Sequence, residues 1–300
     1  MEQPLVSVIT ITRNRGNLIG RCIKSVLNQT YKNIEYIIVD GASDDNTDEV
    51  VASFKDDRLH YVKLETNWPI KETLDHGISL CKGKYITFLD SDDEYLLEKI
   101  EKQVTLIESL PNSYGMVYCG MTDIDSSTGA VITRHFPFLR GKVYDEAIGV
   151  QHLSGTPTFL FRKKVLESLG GWKDNIGIIS DWELAVRCCR DYLVDFVPEE
   201  LVRVYVNHGS VRQSEKAYYS DLLERRIKFN KYFLSEFHDV FERHPEYAAG
   251  FYYAICVAAF HLGRRKEGFW AYKKLLSTAV TFKYLVSPLV ALKNKYHDQY

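Results

Sequence analysis

Short apolar runs and amphipathic stretches take turns along the first part of the chain. Val6 to Ile11, Ile34 to Val39, Leu59 to Lys63 and Tyr85 to Leu89 read as strands. Leu18 to Asn28, Thr47 to Phe54 and about Ile70 to Leu80 read as helices between them, the second behind a Thr and with Asp44 placed to cap it. Strand and helix in regular turn predict an α/β fold with a mostly parallel sheet covered by helices on both faces. Ligands of such sheets bind beyond the carboxyl ends of the strands. Thr12, Asp40 and Asp90 each fall just past a predicted strand, so they are expected to meet at one crevice.

From Met116 to Val206 the pattern is less regular. Strands are expected at Met116 to Cys119, Thr158 to Phe161, Leu193 to Val197 and Leu201 to Val206, with helices at Lys163 to Leu169 and Asp181 to Asp191. Beyond Ser214 the strand pattern stops, and residues 217 to 300 read as helical throughout. The expected division is therefore residues 1–214 and a helical extension, 215–300.

Composition narrows the function classes. The 45% hydrophobic and 13% aromatic content of 300 residues is enough for a substantial core. A formal charge of -2 gives no global attraction to nucleic acid, so no nucleic-acid partner is expected. The first residues lack a basic segment followed by a long apolar one, and no stretch reaches the ~18 uncharged apolar residues of a membrane span. The expectation is a cytoplasmic chain. Its six cysteines are scattered without Cys-x-x-Cys spacing and read as reduced core thiols.

The chemistry concentrates in Lys-Tyr-Ile-Thr-Phe-Leu-Asp-Ser-Asp-Asp, 84 to 93, where an apolar strand ends in Asp90, Asp92 and Asp93. Carboxylates this close repel unless they stay solvated, share protons or hold a cation. Mg²⁺ or Mn²⁺ suits hard oxygen ligands and completes its shell with waters and substrate phosphates, which predicts a phosphorylated substrate. Thr12-Arg-Asn-Arg15 sets Arg13 and Arg15 beside a helix start, a pattern that favours anions and is also common on plain surfaces. Asp40 begins Asp-Gly-Ala-Ser-Asp-Asp-Asn-Thr, either an ordinary Asx turn or an acceptor for a base N–H or ribose hydroxyl. Asp181 opens a helix beside Trp182, as an N-cap or as a base for a hydroxyl proton. His208 follows the last strand, either solvated or a ligand to the same metal.

In this order and spacing the segments resemble the inverting family 2 glycosyltransferases of the GT-A fold, over residues 5 to 214. The likeness is carried by residues 6 to 15, Ser-Val-Leu-Asn-Gln-Thr-Tyr (25 to 31), 35 to 47, 83 to 93, Leu-Gly-Gly-Trp (169 to 172), Asp-Trp-Glu-Leu (181 to 184) and His-Gly-Ser (208 to 210). The resemblance implies a GT-A Rossmann-like sheet and sugar transfer from a nucleoside-diphosphate sugar, UDP-linked, to a glycan or lipid-linked acceptor. It implies that Asp40 holds the uracil or ribose, and that Asp90 and Asp92 form an Asp-x-Asp pair around Mn²⁺ or Mg²⁺ and the diphosphate, with Ser91 between them. It implies Asp181 as general base, His208 at the metal or phosphates, and Thr12, Arg13 and Arg15 along the nucleotide pocket. Where the family carries Ala-Arg-Asn-x-Gly, this chain has Thr-Leu-Asp-His-Gly at 73 to 77. The arginine is missing, and Lys71 is the nearby substitute. The alternatives are a nucleotidyltransferase and a non-catalytic nucleotide-sugar-binding protein.

From His261 onward, lysines and arginines are interleaved with Phe, Trp, Tyr and Leu. This tail is expected to be a helical subdomain packed on the rest of the chain or on a homodimer partner. The alternative is peripheral contact with the inner face of an anionic membrane.

Overall fold

The structure, a computed structural model, describes residues 3–149, 153, 155–173, 176, 181–206 and 215–278, without the side chains of 215–218. The chain divides into two compact units, Met1–Trp172 with Ser180–Gly209, and Lys173–Ile179 with Ser210–Tyr300.

The first unit runs β1 (Val6–Thr12), α1 (Ile19–Leu27), β2 (Ile34–Asp40), α2 (Thr47–Ala52), β3 (Leu59–Lys63), α3 (Ile70–Leu80), β4 (Tyr85–Phe88), β5 (Glu94–Tyr95) and α4 (Lys99–Ser109). It continues with β6 (Tyr114–Asp125), β7 (Val131–His135), α5 (Tyr144–Gly149), β8 (Leu160–Arg162), α6 (Lys163–Ser168), α7 (Asp181–Asp191) and β9 (Leu193–Val206). The strand order is β3-β2-β1-β4-β8-β6-β9-β5, with β7 added to β6. The first four positions form a parallel block, and the long β6–β9 pair is also parallel, so most of the paired length in the sheet is parallel.

Register decides where the chemistry falls. Thr12 pairs with Asp40 and Asp40 with Lys63, while Phe88 pairs with Ile9. The residues after Phe88 therefore emerge at the same sheet edge as Thr12 and Asp40. Val6, Val8, Ile38 and Tyr85 are buried with Ile23 and Ile100 of the covering helices, which fixes that edge on a packed core. On the other face α3 comes close through Gly77, where an added Cβ would lie 2.9 Å from Ile9 Cγ2.

β5 and α5 are not expected from the sequence, and three further elements depart from its pattern. Leu193–Val206 is one strand instead of two, carried through its polar middle by register shifts against β6 around Gly120. α4 escapes a periodicity reading because Lys99 and Gln103 lie buried on the same helix as Ile100, Val104 and Ile107. β7 is exposed at every position and so shows no alternation. All six cysteines are buried and free, as expected.

The second unit contains α8 (Glu215–Glu236), α9 (His238–Arg243), α10 (Ala248–His261) and α11 (Arg265–Ser277). Leu223, Ile227, Ile255, Ala259, Phe260 and Ala271 form its core. Gly268 lets α11 approach α10, since a Cβ there would lie 2.7 Å from the Phe260 ring. Among the described residues no helix is long and apolar enough to cross a membrane.

Candidate active site

Beyond β4 the chain turns through Asp90-Ser91-Asp92-Asp93, closed by the Asp93 N–H donating to the Asp90 carbonyl at 3.1 Å. The three carboxylates part company there. Asp93 is buried, its Oδ1 accepts the Tyr205 N–H at 2.8 Å, and desolvation followed by the charge of Asp90 pushes it up to about 8. Asp90 is open to solvent while protein surrounds it on its other sides. That surrounding protein, then Asp92, then Asp181 raise it to about 6. Ser91 is buried beneath the turn. The Asp92 carbonyl accepts a hydrogen bond from Arg21 Nη2, and the Arg21 guanidinium lies 3.4 Å from the centroid of the Tyr205 ring.

The influence of Asp181 on Asp90 brings α7 to the same neighbourhood. Asp181 Oδ2 accepts the N–H groups of Gly155 and Thr156 at 2.7 and 2.9 Å, and Oδ1 accepts the Trp182 N–H at 2.7 Å. Gly155 has φ 101°, and a Cβ there would lie 2.8 Å from Met121 Sδ, so only glycine delivers that donor. Behind Asp181, Trp182 Nε1 donates to the Ala147 carbonyl at 2.7 Å. The buried Arg187 guanidinium holds Glu183 at 2.7 Å and the carbonyls of Leu169 and Gly171 at 2.6 and 2.7 Å. Trp172 closes the circuit, meeting Phe88 edge to face at 4.7 Å. The Leu-Gly-Gly-Trp segment thus ties α7 to the strand that carries the acidic turn.

On the nucleotide side, Asp40 is fully buried: Oδ1 accepts the Ser43 N–H and Oγ–H at 2.8 and 2.7 Å, and Oδ2 accepts the Tyr61 hydroxyl. Thr12 is buried next to it in register, and its Oγ1 meets no hydrogen-bond partner among the described residues. Arg13 is exposed and Arg15 half-buried. Their loop is stitched to the one after β2: the Asn14 N–H donates to Ser43 Oγ at 2.9 Å, that of Arg15 to Thr47 Oγ1 at 3.0 Å, and that of Gly16 to Asp45 Oδ2 at 3.0 Å. Asp45, one residue past the expected Asp44, takes the Thr47 N–H at 2.9 Å at the start of α2. Lys71 pairs with Asp75 at 2.5 Å. His208 lies outside the described residues.

Asp90 and Asp92 fit a hard divalent cation. They are oxygen donors of like charge at a solvent-open position, and the charge of Asp92 helps to raise Asp90. Among the described residues no group of three or more His, Cys, Asp or Glu forms a metal cluster, so a two-carboxylate site would leave the remaining positions to water and substrate. A cavity of about 480 Å³ borders the same turn from the α1 side, lined by Arg21, Lys24, Glu94 and Arg203 among others, and does not include these carboxylates.

A family profile described as glycosyl transferase family 2 matches residues 7–170. The chain belongs to that family. An uncharacterized glycosyltransferase of Rickettsia typhi is 30% identical to this family 2 chain over 218 residues, 68% of this chain and 64% of the relative, so the chain spans less than two thirds of that protein's length. Among solved structures, S. aureus TarS 1–349 in complex with UDP-GlcNAc superposes with a TM-score of 0.65 at 17% identity, covering 97% of this chain and 89% of that 1–349 fragment. A mannosyltransferase from Pyrobaculum calidifontis in complex with GDP-Man and Mn²⁺ gives 0.59 at 16% identity, covering 100% and 89%. These likenesses establish the GT-A fold expected from the sequence.

Proposed function

We propose that this family 2 protein is a metal-dependent inverting glycosyltransferase, moving a sugar from a UDP-linked donor to a hydroxyl of a glycan or lipid-linked saccharide. The observation that carries the reading is that the charge of Asp181 helps to raise Asp90, so the start of α7 and the acidic turn, ninety-one residues apart in sequence, share one electrostatic neighbourhood. Donor chemistry is supported by the UDP-GlcNAc and GDP-Man bound to the two similar structures, and the metal by the Mn²⁺ of the second.

Asp181 acts on the acceptor. An ionised carboxylate offers about four lone-pair directions, and three are taken by backbone N–H groups. The fourth, on Oδ1, accepts the acceptor hydroxyl proton as the acceptor oxygen attacks the anomeric carbon. The bond from that carbon to the diphosphate oxygen breaks, its electron pair leaves with the diphosphate, and the configuration inverts. Asp90 and Asp92 would hold Mn²⁺ or Mg²⁺, with His208 as a further ligand, and the ion supplies neutralisation of charge on the leaving diphosphate. Thr12 Oγ1 and the Arg13 and Arg15 side chains face the nucleotide, with Ser91 supporting the turn. Asp40 reaches the base or ribose with the one lone-pair direction its internal bonds leave open. Lys71 reaches the donor only by leaving Asp75.

Purified protein incubated with labelled nucleotide sugars and Mn²⁺ tests the reading. Diphosphate release supports transfer. Pyrophosphate release makes the protein a nucleotidyltransferase, and saturable binding without turnover makes it a nucleotide-sugar sensor.

A further inference from the structure

α11 presents two faces of different chemistry. Gly268, Ala271 and Leu275 are buried in the helical core, whereas Phe269, Trp270 and Leu276 remain 56%, 43% and 52% exposed. Phe269, Lys273 and Leu276 follow one another at i, i+4 and i+7, and Lys266, Trp270 and Lys273 do the same one row away. The outward face therefore alternates bulky apolar groups with ammonium groups. Glu267 is the one acidic residue of the helix, and it is held by Lys231 and Arg264. For Lys266 and Lys273 the structure gives no ion pair among the described residues, and both are exposed.

This face is complementary to a surface that is negative outside and apolar just beneath. A second copy of the chain is a poorer match, because a two-fold pairing through this face would gather Lys266 and Lys273 of both copies, four ammonium groups, into one interface. Phe269 meets the Phe260 ring edge to face at 5.3 Å and Trp270 the Tyr252 ring at 5.9 Å, yet each leaves about half of its surface in water beside the exposed Leu276. The sequence that follows has the same character: residues 279 to 292 carry a single charge, Lys283, and are succeeded by Lys293 and Lys295.

We propose that α11 docks the protein on an anionic lipid surface, with Phe269, Trp270 and Leu276 entering the headgroup layer and Lys266 and Lys273 meeting lipid phosphates. The inference uses no residue of the candidate active site and stands apart from the transfer reading.

Full-length protein is sedimented with vesicles of phosphatidylcholine alone and of phosphatidylcholine mixed with phosphatidylglycerol, at low and high salt. The expected result is pelleting with the mixed vesicles only, weakened by salt, with a shift of tryptophan emission to shorter wavelength. Lys266→Glu with Lys273→Glu should lower partitioning by about fivefold or more per lysine. Phe269→Ser with Trp270→Ser should lower it comparably, with an unchanged helical circular-dichroism spectrum showing that α11 still folds. Wild-type protein that stays in the supernatant, binds both vesicle types equally, or binds no better than these variants overturns the proposal. So does a lipid-independent dimer, seen by sedimentation velocity, that the same variants dissociate. Turnover of a soluble donor is unaffected by the outcome, so failure here and failure of the transferase reading are separate results.

Discussion

Gly155 donates its backbone N–H to Asp181 Oδ2 at 2.7 Å, across twenty-six residues of sequence. Together with the Thr156 N–H at 2.9 Å, this bond orients the carboxylate from the side of β6 instead of from its own helix alone. A base held by fixed backbone donors loses little freedom when the acceptor arrives.

Asp181→Asn should abolish transfer while leaving the site assembled. The asparagine Oδ1 still accepts the Gly155 and Thr156 donors, its amide gives up the Trp182 N–H bond, and it cannot take up a proton. Turnover is expected to fall by about 10²–10⁴-fold with donor affinity nearly unchanged. Parallel measurement of turnover and of nucleotide affinity by calorimetry checks this, and a variant that retains wild-type turnover removes Asp181 from the mechanism.

Gly155→Ala tests the orienting donor itself. A side chain there is strained at φ 101° and meets Met121 Sδ at 2.8 Å, so the donor shifts. Stability should drop by about 1–3 kcal/mol, and turnover should fall more than nucleotide affinity does. An equal loss in both would mean that the segment supports the donor and not the base.

Asp92→Asn should remove metal-dependent nucleotide binding, because on the proposed reading it deletes one of two hard anionic ligands. It should also lower the pKa of Asp90 by removing a like charge. Titration of nucleotide with Mn²⁺ and again with a chelator separates the effects. The variant should behave in both buffers as wild type does with chelator. Unchanged Mn²⁺ dependence would take Asp92 out of the ligand set.

The parallel block was legible because β1, β2 and β4 are short, apolar and separated by amphipathic helices, and the register then fixes Thr12 and Asp40 side by side. Asp90, Asp92 and Asp181 were legible as motifs, but their juxtaposition depends on Trp172, Arg187 and Gly155, which act through packing and backbone bonds and leave no periodicity. α4 and β7 were missed for opposite reasons: one buries polar side chains and the other exposes apolar ones. The doublet Gly170-Gly171 was visible as part of the Leu-Gly-Gly-Trp segment. Its role in offering the Gly171 carbonyl to Arg187 was not.

Arg187→Met should be among the most damaging single changes outside the acidic turn. It leaves Glu183 charged and fully buried, and it strips the Leu169 and Gly171 carbonyls of their donor. Breaking a buried pair from one side costs about 3–5 kcal/mol. Chemical denaturation should show that loss, and the double variant with Glu183→Gln should recover part of it. A cost below about 1 kcal/mol, the range of exposed pairs, would mean that water reaches the site.

Lys99 gives the chain a pH dependence that can be isolated by difference. It is fully buried, donates to Thr87 Oγ1 at 2.9 Å and lies 4.0 Å from the Tyr95 ring centroid, and desolvation lowers its pKa to about 7 against a weaker opposing pull from Cys119. An unfolded lysine titrates near ~10.4, so between about 7 and 10 the unfolded chain binds the extra proton, and this group makes stability rise with pH. Buried Cys119 and Tyr95 titrate higher than in an unfolded chain and pull the other way above about pH 8.5, so the raw curve of the wild type mixes signs. Comparison with Lys99→Met removes the part from Tyr95, and below about pH 8.5 also that from Cys119, whose pKa is itself lowered by Lys99 and rises further in the variant. Thr87 keeps its bonds to the Tyr95 hydroxyl and the Phe159 carbonyl, so the loss of one donor is small. The variant should be the more stable by on the order of a few kcal/mol at pH 6, with the gap closing steadily toward pH 10. Denaturation midpoints of the two proteins at matched pH measure that gap, and a gap that does not change with pH would show that Lys99 keeps the same charge folded and unfolded.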